Sequence, residues 1–153
     1  MNIQFYDSFA GPLSIAEDGG KIVGVELNTA PSGAFERKKT PLLSEALKQF
    51  DAYFKGKLKK FDLPLEPRGT DFMLDVWHAV LKIRYGEVAT YKDIAARVGR
   101  PLASRAVGMS NSRNPIAIII PCHRVIGSDG SLVGYGYGLG IKRKLLELER
   151  KNS

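Results

Sequence analysis

Residues 121–125 read Pro121-Cys122-His123-Arg124-Val125 and hold the only cysteine of the chain. Cysteine attacks as the thiolate, and a neighbouring cation lowers a thiol's pKa from roughly 8.5 towards neutrality. His123 and Arg124, at the next two positions, are expected to supply that cation, and the apolar run of residues 116–120 to hold the sulfur firmly. The chemistry this suits is that of a fixed soft nucleophile in a cationic setting. A lone cysteine can equally be a small buried hydrophobe. The polar pair directly after it weighs against that, because an inert core thiol has no need of charged neighbours.

The elements around the cysteine must position it. Ahead of residues 116–120 stands Asn114-Pro115, where the proline restrains the turn and the asparagine side chain can bond nearby backbone, so that Asn114 either braces the two segments it joins or simply stops a helix. The preceding helix, from Leu102 to about Asn111, is rich in small residues (Ala103, Ser104, Ala106, Gly108), with Arg105 the long side chain among them. Such a helix either packs closely inside the protein or slides into a DNA groove, where an arginine could replace a displaced base. Before it, Thr90 and Asp93 have the spacing of a capping box for a short helix from Tyr91 to Val98, stopped by Gly99-Arg100-Pro101. Helix, tight turn and helix within about 20 residues is helix-turn-helix spacing.

After the cysteine, Gly134-Tyr135-Gly136-Tyr137-Gly138 lacks phosphate-loop spacing and suits a pocket wall. The last helix carries Ile141, Leu145 and Leu148 on one stripe, with Glu149 at its border. There Glu149 is either an exposed terminal carboxylate or one that reaches His123 and orients it. Upstream, Phe72, Val76, Val80 and Ile83 mark a core helix from Asp71, with His78 off the stripe and facing solvent.

Residues 1–28 alternate in strand fashion and predict an antiparallel meander; residues 29–40 read as a polar loop. Residues 42–54 follow helical spacing, and residues 58–68 read as an extended linker, giving domains of 1–66 and 67–153. The 153 residues, 44% of them hydrophobic, suffice for packed cores. No stretch approaches the roughly 20 apolar residues of a membrane span, and no leader pattern opens the chain, so a cytoplasmic location is expected. One cysteine and two histidines cannot build a four-ligand structural zinc site, which excludes a zinc-finger class. The net charge of +7 is uneven: residues 1–66 carry nine basic and nine acidic side chains, residues 67–153 carry 14 and seven. A basic segment around the cysteine fits a polyanion such as nucleic acid, or else surface charge that maintains solubility.

Taken in order, Gly69-Thr70-Asp71-Phe72, Val76-Trp77, Thr90-Tyr91, Arg105-Ala106-Val107-Gly108, Asn114-Pro115-Ile116, Pro121-Cys122-His123-Arg124-Val125, Gly134-Tyr135 and Leu145-Leu146-Glu147-Leu148-Glu149 resemble the O6-alkylguanine-DNA alkyltransferases, also called methylated-DNA–protein-cysteine methyltransferases. The resemblance spans residues 69–150, and residues 1–66 match only in pattern. It implies an α+β protein: a small N-terminal α/β domain of RNase H-like type with an antiparallel sheet, then a mostly helical domain with a winged-helix-like helix-turn-helix. It implies Cys122 as alkyl acceptor from O6-alkylguanine, and less firmly O4-alkylthymine, in double-stranded DNA, acting once. His123, oriented by Glu149, would draw the thiol proton through water; Tyr91 would donate towards the leaving base. Arg105 would fill the gap of the flipped nucleotide, and Ala103, Ser104, Ala106 and Gly108 would lie in the minor groove. Asn114 would be the hinge, and Tyr135 with the backbone of Val125 and Gly136 would line the guanine pocket. A monomer without cofactor, metal or membrane partner is implied.

Three positions depart from the pattern. Residues 1–66 contain neither Cys nor His, so the zinc site of some relatives is absent. Arg84 stands where proline is frequent, and Tyr137 where several relatives have glycine, which predicts a narrower pocket. The rival classes are a non-enzymatic helix-turn-helix DNA-binding or lesion-recognition protein, indifferent to Cys122→Ala, and a cysteine hydrolase using Cys122 and His123, for which no oxyanion motif stands out.

Overall fold

Alternating apolar and polar residues build three antiparallel strands, β1 (Asn2–Ser8), β2 (Gly11–Asp18) and β3 (Lys21–Leu27). Asp18 pairs with Lys21 across Gly19-Gly20, whose φ values of 58° and 79° are those a two-residue hairpin turn with matching twist requires. The computed structural model describes residues 1–31 and 33–153, divided into two units. The first unit is Met1–Arg68 with Pro115–Ala117. Its sheet runs β3-β2-β1-β4, and β4 (Glu36–Arg37) pairs parallel with β1. That strand lies in the stretch read as a loop; two exposed residues are too few to show alternation. In α1 (Pro41–Phe54), Thr40 Oγ1 caps the Leu43 amide at 3.1 Å, and Leu43, Ala46, Phe50 and Tyr53 are buried.

The outer edge of β3 is covered by two extended segments. Ile22 bonds Pro64 and Glu66 at 2.8 and 2.9 Å, and Val25 bonds Pro115 and Ala117 at 2.9 and 3.1 Å. An edge so paired offers no template to another chain. The apolar run of residues 116–120 is therefore not one rigid support. Ile118 takes φ 71°, rare for a β-branched residue, and the turn there separates the portion on β3 from the portion leading to Cys122.

The second unit, Gly69–Asn114 with Ile118–Ser153, contains α2 (Asp71–Leu81), β5 (Ala89–Thr90), α3 (Tyr91–Arg97), α4 (Ser104–Ser112), a 3₁₀ turn (Cys122–Arg124), β6 (Val125–Ile126) and α5 (Leu139–Asn152). Val76, Trp77, Val80, Ile94, Val107, Ile120, Val125 and Leu145 form its core. Trp77 Nε1 donates to the Ser110 carbonyl at 2.9 Å and joins α2 to α4. A Cβ on Gly69 would stand 2.6 Å from the Trp77 ring, so only glycine fits there. Thr90 and Asp93 form a reciprocal capping box at 2.9 and 3.0 Å. Parallel pairing of β5 with β6 brings the start of α3 beside the residues that follow Cys122. Among the described residues no helix is long and apolar enough to cross a membrane.

Candidate active site

Cys122 sits at the end of a sharp bend. Pro121, at φ −82° and ψ 62°, centres an inverse γ-turn closed by the Cys122 amide on the Ile120 carbonyl at 2.8 Å, and the 3₁₀ turn follows. Asn114 Nδ2 donates to Ile120 O at 2.8 Å and to Cys122 Sγ at 3.1 Å, while Asn111 Nδ2 donates to Cys122 O at 3.1 Å. Only 4% of the cysteine is exposed. Burial pushes the thiol's pKa up, against the Asn114 bond, the Lys142 charge and the local amides. The expectation that adjacent cations depress it is overturned, because Arg124 is turned away to Glu149 and to the Ile83 carbonyl, at 2.6 and 2.7 Å. Cys122 rests as a thiol.

His123 Nε2 lies 2.6 Å from Glu149 Oε2, and Arg124 Nε lies 2.6 Å from Oε1 of the same carboxylate. Glu149 is 1% exposed. Its burial favours the neutral acid, but the hydrogen bonds from His123 and Arg124 and the charge of Arg124 prevail and bring its pKa to about 2. Burial lowers the His123 pKa despite the pull of Glu149, so the imidazole is neutral. An ionised carboxylate only accepts, which assigns the ring proton to Nε2. Nδ1, buried and without a partner among the described residues, is then the basic nitrogen.

The helix that supplies Glu149 is rotated from its expected setting. Lys142, Leu145, Leu146 and Glu149 form the buried stripe of α5, whereas Ile141 and Leu148 are half-buried. Two charged residues displace apolar ones because each finds partners: Glu149 the pair just described, and Lys142 the carbonyls of Val125 and Val133 at 2.6 and 3.0 Å.

A cleft opens at the sulfur, lined by Asn111, Ser112, Asn114, Cys122, Gly134, Tyr135, Gly136 and Tyr137. The rings of Tyr135 and Tyr137 meet edge to face, 5.6 Å apart. Burial, with the charges of Cys122, Tyr137 and Glu149, raises the Tyr135 pKa well above the usual phenol value. Val125 does not line the cleft; it is fully buried with its carbonyl on Lys142. Tyr91 also lies outside the lining, and its hydroxyl donates to Val133 O at 2.8 Å and Gly134 O at 3.3 Å. On α4, Val107, Ser110 and Asn111 are buried, Arg105 and Ala106 are exposed, and Ala103, Ser104 and Gly108 are half-buried. Asn111 and Lys142 were not singled out from sequence; the signal for Lys142 was its seven-residue spacing from Glu149, two turns along one helix face. Among the described residues no group of three or more His, Cys, Asp or Glu could hold a metal ion.

Comparison with known proteins places the chain in a family. Residues 71–151 match the DNA binding domain of 6-O-methylguanine DNA methyltransferase, and residues 1–67 match its ribonuclease-like domain. A methylated-DNA–protein-cysteine methyltransferase of Methanosarcina barkeri is 51% identical over 158 aligned positions, covering 99% of each chain. One from Mycobacterium tuberculosis is 47% identical over 150, covering 96% of this chain and 91% of its own. Mycobacterium tuberculosis OGT, solved in complex with DNA, superposes with a TM-score of 0.94 at 45% identity over 100% of this chain and 95% of its own. An O6-methylguanine DNA methyltransferase of Methanococcus jannaschii does so with 0.71 at 31% identity over 100% and 95%. A thiol held by an asparagine, beside a histidine backed by a buried glutamate, thus lies in a chain that belongs along its whole length to the 6-O-methylguanine DNA methyltransferase family.

Proposed function

We propose that this protein repairs O6-alkylguanine in double-stranded DNA by moving the alkyl group onto Cys122, once per molecule. The observation that carries the reading is the line of groups behind the sulfur: Asn114 on Sγ, His123 with an unpartnered basic Nδ1, and Glu149 ionised behind it. As Sγ bonds the alkyl carbon, the carbon–O6 bond breaks and its electron pair leaves with guanine. The thiol proton passes through water to Nδ1, and Glu149 stabilises the imidazolium that forms. Tyr91 assists the leaving base by turning its hydroxyl from Val133 to a ring nitrogen. The product is a thioether, which thiol exchange does not cleave, and the chain has no second cysteine to accept the group. O4-alkylthymine is a secondary substrate. A single free thiol that must stay reduced supports a cytoplasmic site of action. A duplex with one isotopically labelled O6-methyl group tests the proposal: label moves to the protein, and label left in the DNA would sink it.

The target oxygen lies inside the duplex, so the base must be flipped at a cost of a few kcal/mol. Arg105, exposed on α4 among small neighbours, fills the gap, and the basic surface of the second unit binds phosphates without regard to sequence. Arg105→Ala is expected to slow transfer from duplex by about tenfold or more while leaving single-stranded substrate little affected. Equal losses on both substrates would remove Arg105 from the flipping step. Tyr137 narrows the cleft beside Tyr135. Tyr137→Gly is expected to speed reaction with O6-benzylguanine by about tenfold, with O6-methylguanine nearly unchanged; efficient benzyl transfer by the unaltered protein would contradict the narrow pocket.

A further inference from the structure

Asn111 belongs to the buried face of α4 and is only 5% exposed, yet it lines the cleft at the sulfur. Its amide has one possible orientation. The Cys122 carbonyl can only accept, so the atom facing it at 3.1 Å is Nδ2, and the amide oxygen is turned elsewhere. Oδ1 is buried and has no hydrogen-bond partner among the described residues. An unpaired buried acceptor is costly, and folded proteins seldom keep one without a use for it. The Tyr135 hydroxyl, in the wall of the same cleft, is also buried without a partner. A phenol can donate or accept, whereas Oδ1 can only accept. A ligand that satisfies the cleft therefore carries a donor.

In O6-alkylguanine N1 has lost its proton, N3 and N7 are acceptors and N9 carries the sugar, so the exocyclic 2-amino group is the base's one N–H donor. In O4-alkylthymine N3 has lost its proton and N1 carries the sugar, which leaves no N–H donor. The placing of Tyr91 agrees with a contact to the amine. A Cβ on Gly108, one turn before Asn111 on α4, would stand 3.7 Å from the Tyr91 ring, so the ring and the Asn111 amide neighbour one another along the helix. The 2-amino group lies between N1 and N3, and a hydroxyl that serves either nitrogen stands next to whatever bonds the amine. We infer that Asn111 is a specificity-determining residue, whose Oδ1 accepts a hydrogen bond from the 2-amino group of the flipped O6-alkylguanine and so ranks guanine lesions above thymine lesions. The inference deepens the repair function proposed above and rests on it. Oδ1 is already hidden from water, so an amine that reaches it displaces no hydration, while O4-alkylthymine in the same place leaves it unpaired. A site built for a donor rejects an analogue without one more sharply than an apolar pocket rejects a change of shape.

The test compares methyl transfer from O6-methylguanine and from O6-methylhypoxanthine, the same base with hydrogen in place of the 2-amino group, in otherwise identical duplexes. The proteins are the unaltered chain, Asn111→Leu and Asn111→Ala, with a thermal melt of each. Both variants also lose the bond to Cys122 O, and a merely structural role would show as an equal loss on the two substrates. The readout is therefore the ratio of the two rates within each protein, to which pairing differences between the duplexes contribute equally throughout. In the unaltered protein the ratio is expected to favour O6-methylguanine by roughly tenfold more than in either variant. O4-methylthymine should gain on O6-methylguanine in the variants by a similar factor. One ratio common to all three proteins would overturn the inference. Where neither variant folds, single-stranded substrates, in which no base pair has to open, decide with the unaltered protein alone: equal rates on the two purines would overturn it too. A protein that moves no methyl group from either duplex, yet binds the O6-methylguanine duplex more tightly than the O6-methylhypoxanthine one, would count against the repair function and not against the amine contact.

Discussion

Cys122→Ser is expected to take up no methyl group from duplex DNA containing O6-methylguanine, where the unaltered protein gains the mass of one methyl on residue 122. Serine preserves the size and the Asn114 contact, but its hydroxyl is a far weaker nucleophile than a thiolate, and His123 is only a neutral imidazole. The loss therefore amounts to several orders of magnitude, as removal of a covalent nucleophile does elsewhere. Binding to the same duplex should survive, since Arg105 is exposed on α4 while the sulfur is buried. Intact-mass spectrometry of both proteins, with a binding assay, reads the two effects separately. Methyl uptake by the serine variant would place the acceptor at another residue, and none by the unaltered protein despite tight binding to the lesion would make this a lesion-recognition protein instead.

Glu149→Gln is expected to lose roughly 3–5 kcal/mol of stability, the scale on which removing one member of a buried ion pair is felt. Arg124, 7% exposed, would keep its charge with no carboxylate, and the amide offers one oxygen where two donors now converge. For a chain of this size the loss lowers Tm by roughly 10 °C. The pH dependence identifies the group. The Glu149 carboxyl falls from 4.5 to about 2 in the folded state, so the unfolded chain binds the proton more readily between those values. Its contribution of roughly 3 kcal/mol is complete above pH 4.5 and is lost as pH falls towards 2. His123, also lowered, adds a loss that begins as pH drops through 6.5. Urea unfolding across these windows should show the acid slope in the unaltered protein and a shallower one in Glu149→Gln. Equal slopes would assign the acid sensitivity to other carboxylates. Methyl transfer should fall as well, because His123 loses the acceptor that fixes its tautomer.

The parts legible from the chain were those written in short spacings. Alternation over residues 1–28 specified β1 to β3, and Thr90 with Asp93 marked the start of α3, because caps, hairpins and amphipathic stripes are local and each residue's partner lies within a few positions. The order of motifs from Gly69 to Glu149 likewise carried the family. By contrast β4 escaped notice, since Glu36 and Arg37 become a strand only by lying beside Asn2 and Ile3.

Tertiary structure decided how the site is charged and which groups touch. Arg124 stands two residues from the cysteine, yet its charge goes to Glu149, 25 positions away, and burial leaves the sulfur protonated. Tyr91 reaches Val133 across 42 positions, and Lys142 reaches Val125 across 17. On apolar pattern alone α5 should bury Ile141 and Leu148, but it buries Lys142 and Glu149. Periodicity records only which residues prefer to leave water; whether a charged side chain can join them depends on donors and acceptors brought from distant segments, and those exist only once the chain has folded.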